Sequence, residues 1–278
     1  MLTRGMTLLR AAAANRTAVA GFVAYNLETA QGIIAAAERT NLPVILQAGS
    51  SAFNYAGKAL AAMALDLAGR TDAHVGVHLD HARTIDEVQE CLDLGYTSVM
   101  FDGSHLPFDE NVRLTAEATR RAHDSDAWIE GELGAIAGDE DVSTNASGGC
   151  LTHPSQAAEF VQRTSVDVLA VAVGNVHGWT PSPPILDLDL LAKIQSEARV
   201  PLALHGASGL PRDTLVACLE RGVVKVNVNT ELRRAYLRAV DESVEASLLN
   251  DDLVAHLTSG REAVAEAATR ILLALQRI

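Results

Sequence analysis

Short apolar runs alternate with amphipathic stretches along almost the whole chain. The runs at residues 19–25, 43–47, 75–79, 98–101, 128–133, 168–173, 201–204 and 223–228 are of strand length and mostly apolar. That pattern suits strands buried on both faces, as in parallel sheets. Between them, residues 28–40, 56–68, 84–94, 107–123, 154–164, 188–197, 211–221 and 231–249 carry apolar positions at helical spacing. Prolines at helix starts, His153-Pro154 and Leu210-Pro211, sharpen two of the boundaries. Eight strand–helix units predict an α/β fold, a (β/α)8 TIM barrel, whose usual length is about 250 residues. A doubly wound sheet has no support, because no GxGxxG follows an early strand and no Walker A loop is present. With no linker and no change of composition, residues 1–278 read as one barrel domain. Beyond residue 249 an Ala/Leu-rich helical stretch runs to Ile278, and these extra C-terminal helices are placed to cap the barrel or to meet a second subunit.

Two connections are longer than a barrel needs. Residues 134–150, GAIAGDEDVSTNASGGC, are polar and glycine-rich, and residues 174–187, GNVHGWTPSPPILD, are stiffened by proline. Both follow strands, so both rise from the C-terminal face where barrel active sites lie. The first has the character of a lid.

Composition narrows the function classes. The 22 Lys and Arg against 35 Asp and Glu give a net charge of −13, a surface that repels nucleic acid and anionic membranes. No run of about 18 apolar residues exists to span a bilayer, and the N-terminus lacks the apolar block of a secretory signal. Cys91, Cys150 and Cys218 are odd in number and widely spaced, which fits a reduced, cytoplasmic setting.

The chemistry gathers at strand ends. His81 in VGVHLDH, His177 in GNVHG and His205 in HGASG can converge on one ion over the barrel mouth. Three protein ligands with an open fourth position make a catalytic zinc arrangement. His78 lies inside its strand and reads as a core histidine. Asp80 precedes His81 and can orient a ligand or move a proton. Asp102 in FDGS and Glu132 in EGELG can bind a metal or cap a loop. Glu140 and Asp141 sit in the lid segment. HGASG (Gly206, Ala207, Ser208) and NVNT (Asn227, Val228, Asn229, Thr230) close the seventh and eighth strands, where many barrels hold phosphate on backbone N–H groups and a helix N-terminus.

Taken together, NLET, HLDH, FDGSHLPFDENV, EGELG with GDED, LAVAVGNVHG, LHGASGLP and VKVNVNTEL resemble the class II, zinc-dependent ketose-bisphosphate aldolases, the fructose- and tagatose-bisphosphate enzymes among them. The matching blocks run from Asn26 to Leu232. The resemblance implies zinc held by His81, His177 and His205, stabilising the negative charge formed on carbon–carbon cleavage. It implies that Asp80 exchanges a proton with the C4 hydroxyl of the ketose, and that Glu140 moves the proton of dihydroxyacetone phosphate. The phosphate is then held by Gly178, the 206–208 turn and residues 227–230. Asp102 and Glu132 match acidic residues near alternative or second cation positions, divalent or monovalent. No Schiff-base lysine is implied, so Lys58, Lys193 and Lys225 need not be catalytic. A homo-oligomer, dimer or tetramer, is implied as well.

Two segments depart from that pattern. Where relatives carry AFN-x-x-N, this chain reads GFVAYN, with Val23 in place of the first asparagine. After GNVHG it reads WTPSPP instead of an aromatic-lysine-glycine stretch. Both bear on substrate choice and neither touches the zinc set. The expected reaction is reversible cleavage of tagatose- or fructose-1,6-bisphosphate, or another phosphorylated ketose or sugar acid, into dihydroxyacetone phosphate and an aldehyde such as glyceraldehyde 3-phosphate. A barrel hydrolase using zinc-bound water is the alternative chemistry. A non-catalytic barrel subunit would have lost part of the His81, His177, His205 and Asp80 set.

Overall fold

The computed structural model describes residues 1–138, 149–178 and 180–276. Glu140, Asp141 and Trp179 lie outside the described residues. Eight parallel strands, β1 (Val19–Val23), β2 (Val44–Gly49), β3 (Val75–Ala82), β4 (Ser98–Phe101), β5 (Trp128–Leu133), β6 (Val168–Val171), β7 (Leu202–Leu204) and β8 (Val223–Val228), close into a barrel in chain order. Helices α2 (Leu27–Thr40), α4 (Lys58–Arg70), α5 (Ile85–Leu94), α6 (Phe108–Asp124), α7 (Pro154–Thr164), α8 (Leu188–Ala198), α9 (Arg212–Leu219) and α10 (Thr230–Asn250) alternate with the strands. The TIM barrel read from the pattern is therefore the fold, and C-terminal helices follow it.

Three further helices are found among the described residues. α1 (Thr7–Asn15) precedes the barrel, α3 (Ser50–Ala56) inserts after β2, and α11 (Leu253–Ala274) ends the chain. The hydrophobic pattern marked neither α1 nor α3, because each is short. α11 packs on α2 and on α10. Glycines allow the close approach: a Cβ on Gly32 would lie 2.6 Å from the Arg261 carbonyl, and one on Gly260 would lie 2.6 Å from the Tyr236 ring.

The barrel interior has two storeys. The lower one is apolar, with Val19, Ile45, Met100, Trp128, Val168, Ala170, Ala203 and Val224 packed against Leu9 and Ala12 of α1. The upper one is polar, holding Gln47, His78, Asp80, Glu130, His205, Lys225 and Asn227, all buried. Apolar residues on the outer strand faces meet the helices in a separate, larger core.

Candidate active site

β3 supplies two consecutive functional side chains, which an ordinary strand would point to opposite faces. The chain solves this with a bulge: between Leu79 and Ala82 the register with β4 slips by one residue, and His81 adopts φ +51°. Asp80 keeps its inward aim while His81 is turned toward the mouth. A non-glycine residue in the left-handed region is strained, and such strain persists where surrounding contacts fix it. The strand thus runs past residue 79, through both functional positions.

The three histidines that the sequence singled out come together. Their ring nitrogens lie within 4.8 Å of one another. His81 meets the His177 and His205 rings edge-on, with centroids 5.2 and 4.8 Å away. Each of two rings has one nitrogen engaged by a carboxylate: His81 Nδ1 lies 3.1 Å from Asp102 Oδ2, and His205 Nε2 lies 2.6 Å from Glu130 Oε1. The remaining nitrogens, His81 Nε2 and His205 Nδ1, face each other at 3.0 Å. Two lone pairs cannot share that gap without a proton or a cation between them, so the donor set fits a metal ion. Carboxylate-backed imidazoles are also how metal-ligating histidines are ordinarily oriented.

His177 reaches the cluster because its loop is tied on both sides. Its N–H donates to the Ala137 carbonyl at 2.8 Å, and Asn175 donates to the His205 carbonyl at 3.0 Å. Gly138 approaches so closely that a Cβ there would lie 2.5 Å from the His177 carbonyl. Asn175 carried no motif signal beyond its place in GNVHG.

Electrostatics set the protonation pattern. Burial pulls the His81 pKa down, but Asp80 and the Asp102 hydrogen bond outweigh it and raise the value well above the ordinary histidine range. His177 and His205 are held well below it, by burial first. Burial and the Asp102 charge push Glu132 up to about 8. Asp102 is held far below the carboxylate range: burial opposes this, and the His81 and Ser104 hydrogen bonds prevail.

The acidic residues separate by environment. Asp80, fully buried, accepts from Asn227 Nδ2 at 3.1 and 3.2 Å. Asp102 and Glu132 form a second donor group with His81, the Glu132 carboxylate lying 3.7 Å from His81 Nδ1. His78 is only half satisfied: Nδ1 bonds Ser98 Oγ at 2.9 Å and the ring stacks on Trp128, while Nε2 stops 3.9 Å short of both Asp80 and Glu130.

Beside the histidines opens a cavity of about 580 Å³. Gly178, Ser208 and Thr230 line it, together with Gly209, Glu231, Arg234, Arg238 and Arg270. Gly206, Ala207, Asn227, Val228 and Asn229 do not. Gly206 is locked at φ +60° against the Val176 carbonyl, Val228 belongs to the outer core, and Asn229 bonds the Tyr25 hydroxyl. The Gly209 N–H donates to Glu231 at 2.5 Å. Arg270 comes from α11, a helix that the motif pattern did not reach. Among the remaining histidines, His123 pairs with Asp167 at 2.9 Å and His256 with Ser243 at 2.8 Å, both away from the barrel mouth.

The sequence matches the family model described as fructose-bisphosphate aldolase class-II over residues 3–277. Among solved structures, the chain is 32% identical to the YdjI aldolase of Escherichia coli K12, covering 99% of this chain and 97% of that one with a TM-score of 0.87. It is also 32% identical to a protein described as a candidate fructose-1,6-bisphosphate aldolase from Coccidioides immitis, over 98% and 96% of the two chains, with a TM-score of 0.91. Fructose-bisphosphate aldolase of Campylobacter jejuni, at 22% identity and a TM-score of 0.83 over 99% and 95% of the chains, shares the fold.

Proposed function

Because the chain belongs to the class-II fructose-bisphosphate aldolase family, and is therefore a lyase of the metal-dependent aldolase type, we propose that it cleaves a phosphorylated ketose with zinc held by His81, His177 and His205. Tagatose- or fructose-1,6-bisphosphate heads the substrates, yielding dihydroxyacetone phosphate and an aldehyde such as glyceraldehyde 3-phosphate. The observation that carries this reading is the pair of facing nitrogens on His81 and His205, each ring backed by its own carboxylate. The ion supplies Lewis-acid polarisation of the substrate carbonyl. Asp80, held by Asn227, takes the proton of the C4 hydroxyl on cleavage and returns it on condensation.

Gly178, Ser208 and Thr230 present backbone N–H and hydroxyl groups to the substrate phosphate, with Thr230 opening α10. The surrounding Arg234, Arg238 and Arg270 suit an anionic ligand. Glu140 remains the proposed carrier of the dihydroxyacetone phosphate proton. Asp102 and Glu132 are proposed to serve a second cation, which their approach to His81 supports. Val23, nearly fully buried, follows Gly21 on the inner-facing alternation of β1 and gives the mouth an apolar spot where relatives have an amide. A homo-oligomer is proposed on Leu237, Leu248, Leu249, Leu253 and Val254, all exposed on α10 and α11. No helix among the described residues is long and apolar enough to cross a membrane, and a cytoplasmic location is part of the same proposal.

The deciding experiment offers fructose- and tagatose-bisphosphate separately and follows dihydroxyacetone phosphate. Activity should vanish with chelator and return with zinc. Failure to cleave either sugar with zinc bound would rule out both substrates.

A further outcome concerns protons. His81 carries one at pH 7 in the metal-free chain, since its pKa is raised, and must lose it to become a ligand. Zinc binding at pH 7 is therefore expected to release about one proton, with affinity falling about tenfold per pH unit on acidification. Calorimetry in buffers of different ionisation enthalpy measures this; zero release at pH 7 would contradict the assignment.

A further inference from the structure

Deep in the upper storey, three strands contribute one chain of contacts. Glu130 on β5 and Lys225 on β8 are both fully buried, with Glu130 Oε2 2.7 Å from Lys225 Nζ. The other carboxylate oxygen lies 2.6 Å from His205 Nε2, just beyond the end of β7. Both residues lie within the EGELG and VKVNVNTEL blocks, but neither is given a role there. We propose that Glu130, braced by Lys225, is the positioning residue that holds His205 in its Nε2–H tautomer and so aims Nδ1 at the metal.

The argument is one of donors and acceptors. A carboxylate paired with an ammonium is an acceptor only, so the short contact to His205 requires the hydrogen to sit on Nε2. That leaves the Nδ1 lone pair toward His81 Nε2, 3.0 Å away. Lys225 Nζ, 2.7 Å from Oε2, anchors that end of the carboxylate and leaves Oε1 to accept from His205. Lys225 thus acts on the ligand set at one remove, in a role unrelated to Schiff-base chemistry. His78 cannot substitute, since its Nε2 stays 3.9 Å from Glu130 and its ring is stacked on Trp128. This inference rests on the zinc reading above, yet the tautomer is a property of the metal-free chain.

The test uses the full chain in two arms. Nitrogen-15 imidazole spectra of the metal-free protein, with His205 identified by its loss in His205→Gln, report the tautomer directly. Zinc affinity is measured by competition with a chromophoric chelator. The wild-type chain should show His205 protonated at Nε2. In the Glu130→Gln/Lys225→Met double variant, which removes both charges together, the Nδ1–H form should gain population and zinc should bind about 10–100-fold more weakly. Glu130→Asp, which keeps the charge and shortens the reach, should weaken zinc in the same direction and serves if the double variant does not fold. An Nδ1–H tautomer in the wild type would overturn the proposal, as would variants whose tautomer and zinc affinity match wild type within about twofold. A wild-type chain that shows the Nε2–H tautomer but takes up no zinc would overturn the metal reading and leave this hydrogen bond standing.

Discussion

Asp80→Asn is expected to lower kcat for ketose cleavage by about 10²- to 10⁴-fold, the range over which a positioned proton carrier acts. KM and zinc content should stay close to wild type. The substitution is nearly isosteric, and the new amide oxygen still accepts from Asn227, whose Nδ2 lies 3.1 Å from the native carboxylate. What is lost is the capacity to take up a proton next to His81, the proposed metal ligand. A direct assay of dihydroxyacetone phosphate with metal analysis on the same sample separates the cases. Loss of zinc together with activity would recast Asp80 as a residue that orients His81. Activity above about a tenth of wild type would remove it from proton transfer altogether.

Gly206→Ala is the second large effect, and it comes from backbone geometry. At φ +60° an alanine is left-handed, at a cost of about 1–2 kcal/mol. Its Cβ would also lie 2.4 Å from the Val176 carbonyl, a contact that the structure must yield to relieve. Overpacking of this kind adds about 1–3 kcal/mol. The melting temperature should fall by roughly 10 °C, and displacement of His205 and of the GNVHG loop should remove most activity. Gly209→Ala supplies the comparison: φ is +79° but nothing lies within 4 Å of the added carbon, so strain acts alone. Equal losses in the two variants would refute the clash with Val176 as the cause.

The barrel was legible because its strands are buried on both faces and its helices on one, which gives each element a distinct period. β4, β5, β8 and α7 coincide with the runs that the pattern marks. β3 does not, since the pattern stops at Leu79 while the strand continues through a bulge to Ala82. A bulge is fixed by pairing with the neighbouring strand, and nothing local in HLDH announces it. The histidines were legible by chemical type and by their place at strand ends. The pairing of Glu130 with Lys225 was not, although both stand in quoted blocks: a buried charge is explained only by its partner, which lies 95 residues away in sequence and 2.7 Å away in space. Arg270 was hidden for a related reason, since α11 reaches the mouth only by packing across α2 and α10.

The bulge at His81 also limits how this site can be altered. The imidazole proposed to hold the metal and the carboxylate proposed to handle the proton hang from adjacent α-carbons joined by one peptide unit, and His81 there adopts an unfavourable positive φ. Mechanically they are one part. A change that relaxes that torsion moves both side chains together, so the placement of one cannot be adjusted through the β3 backbone without moving the other. Libraries aimed at a new aldehyde should therefore leave residues 79–82 intact and draw their diversity from Val23, Tyr25 and the segment beginning at Thr180, where the mouth can be reshaped without turning that hinge.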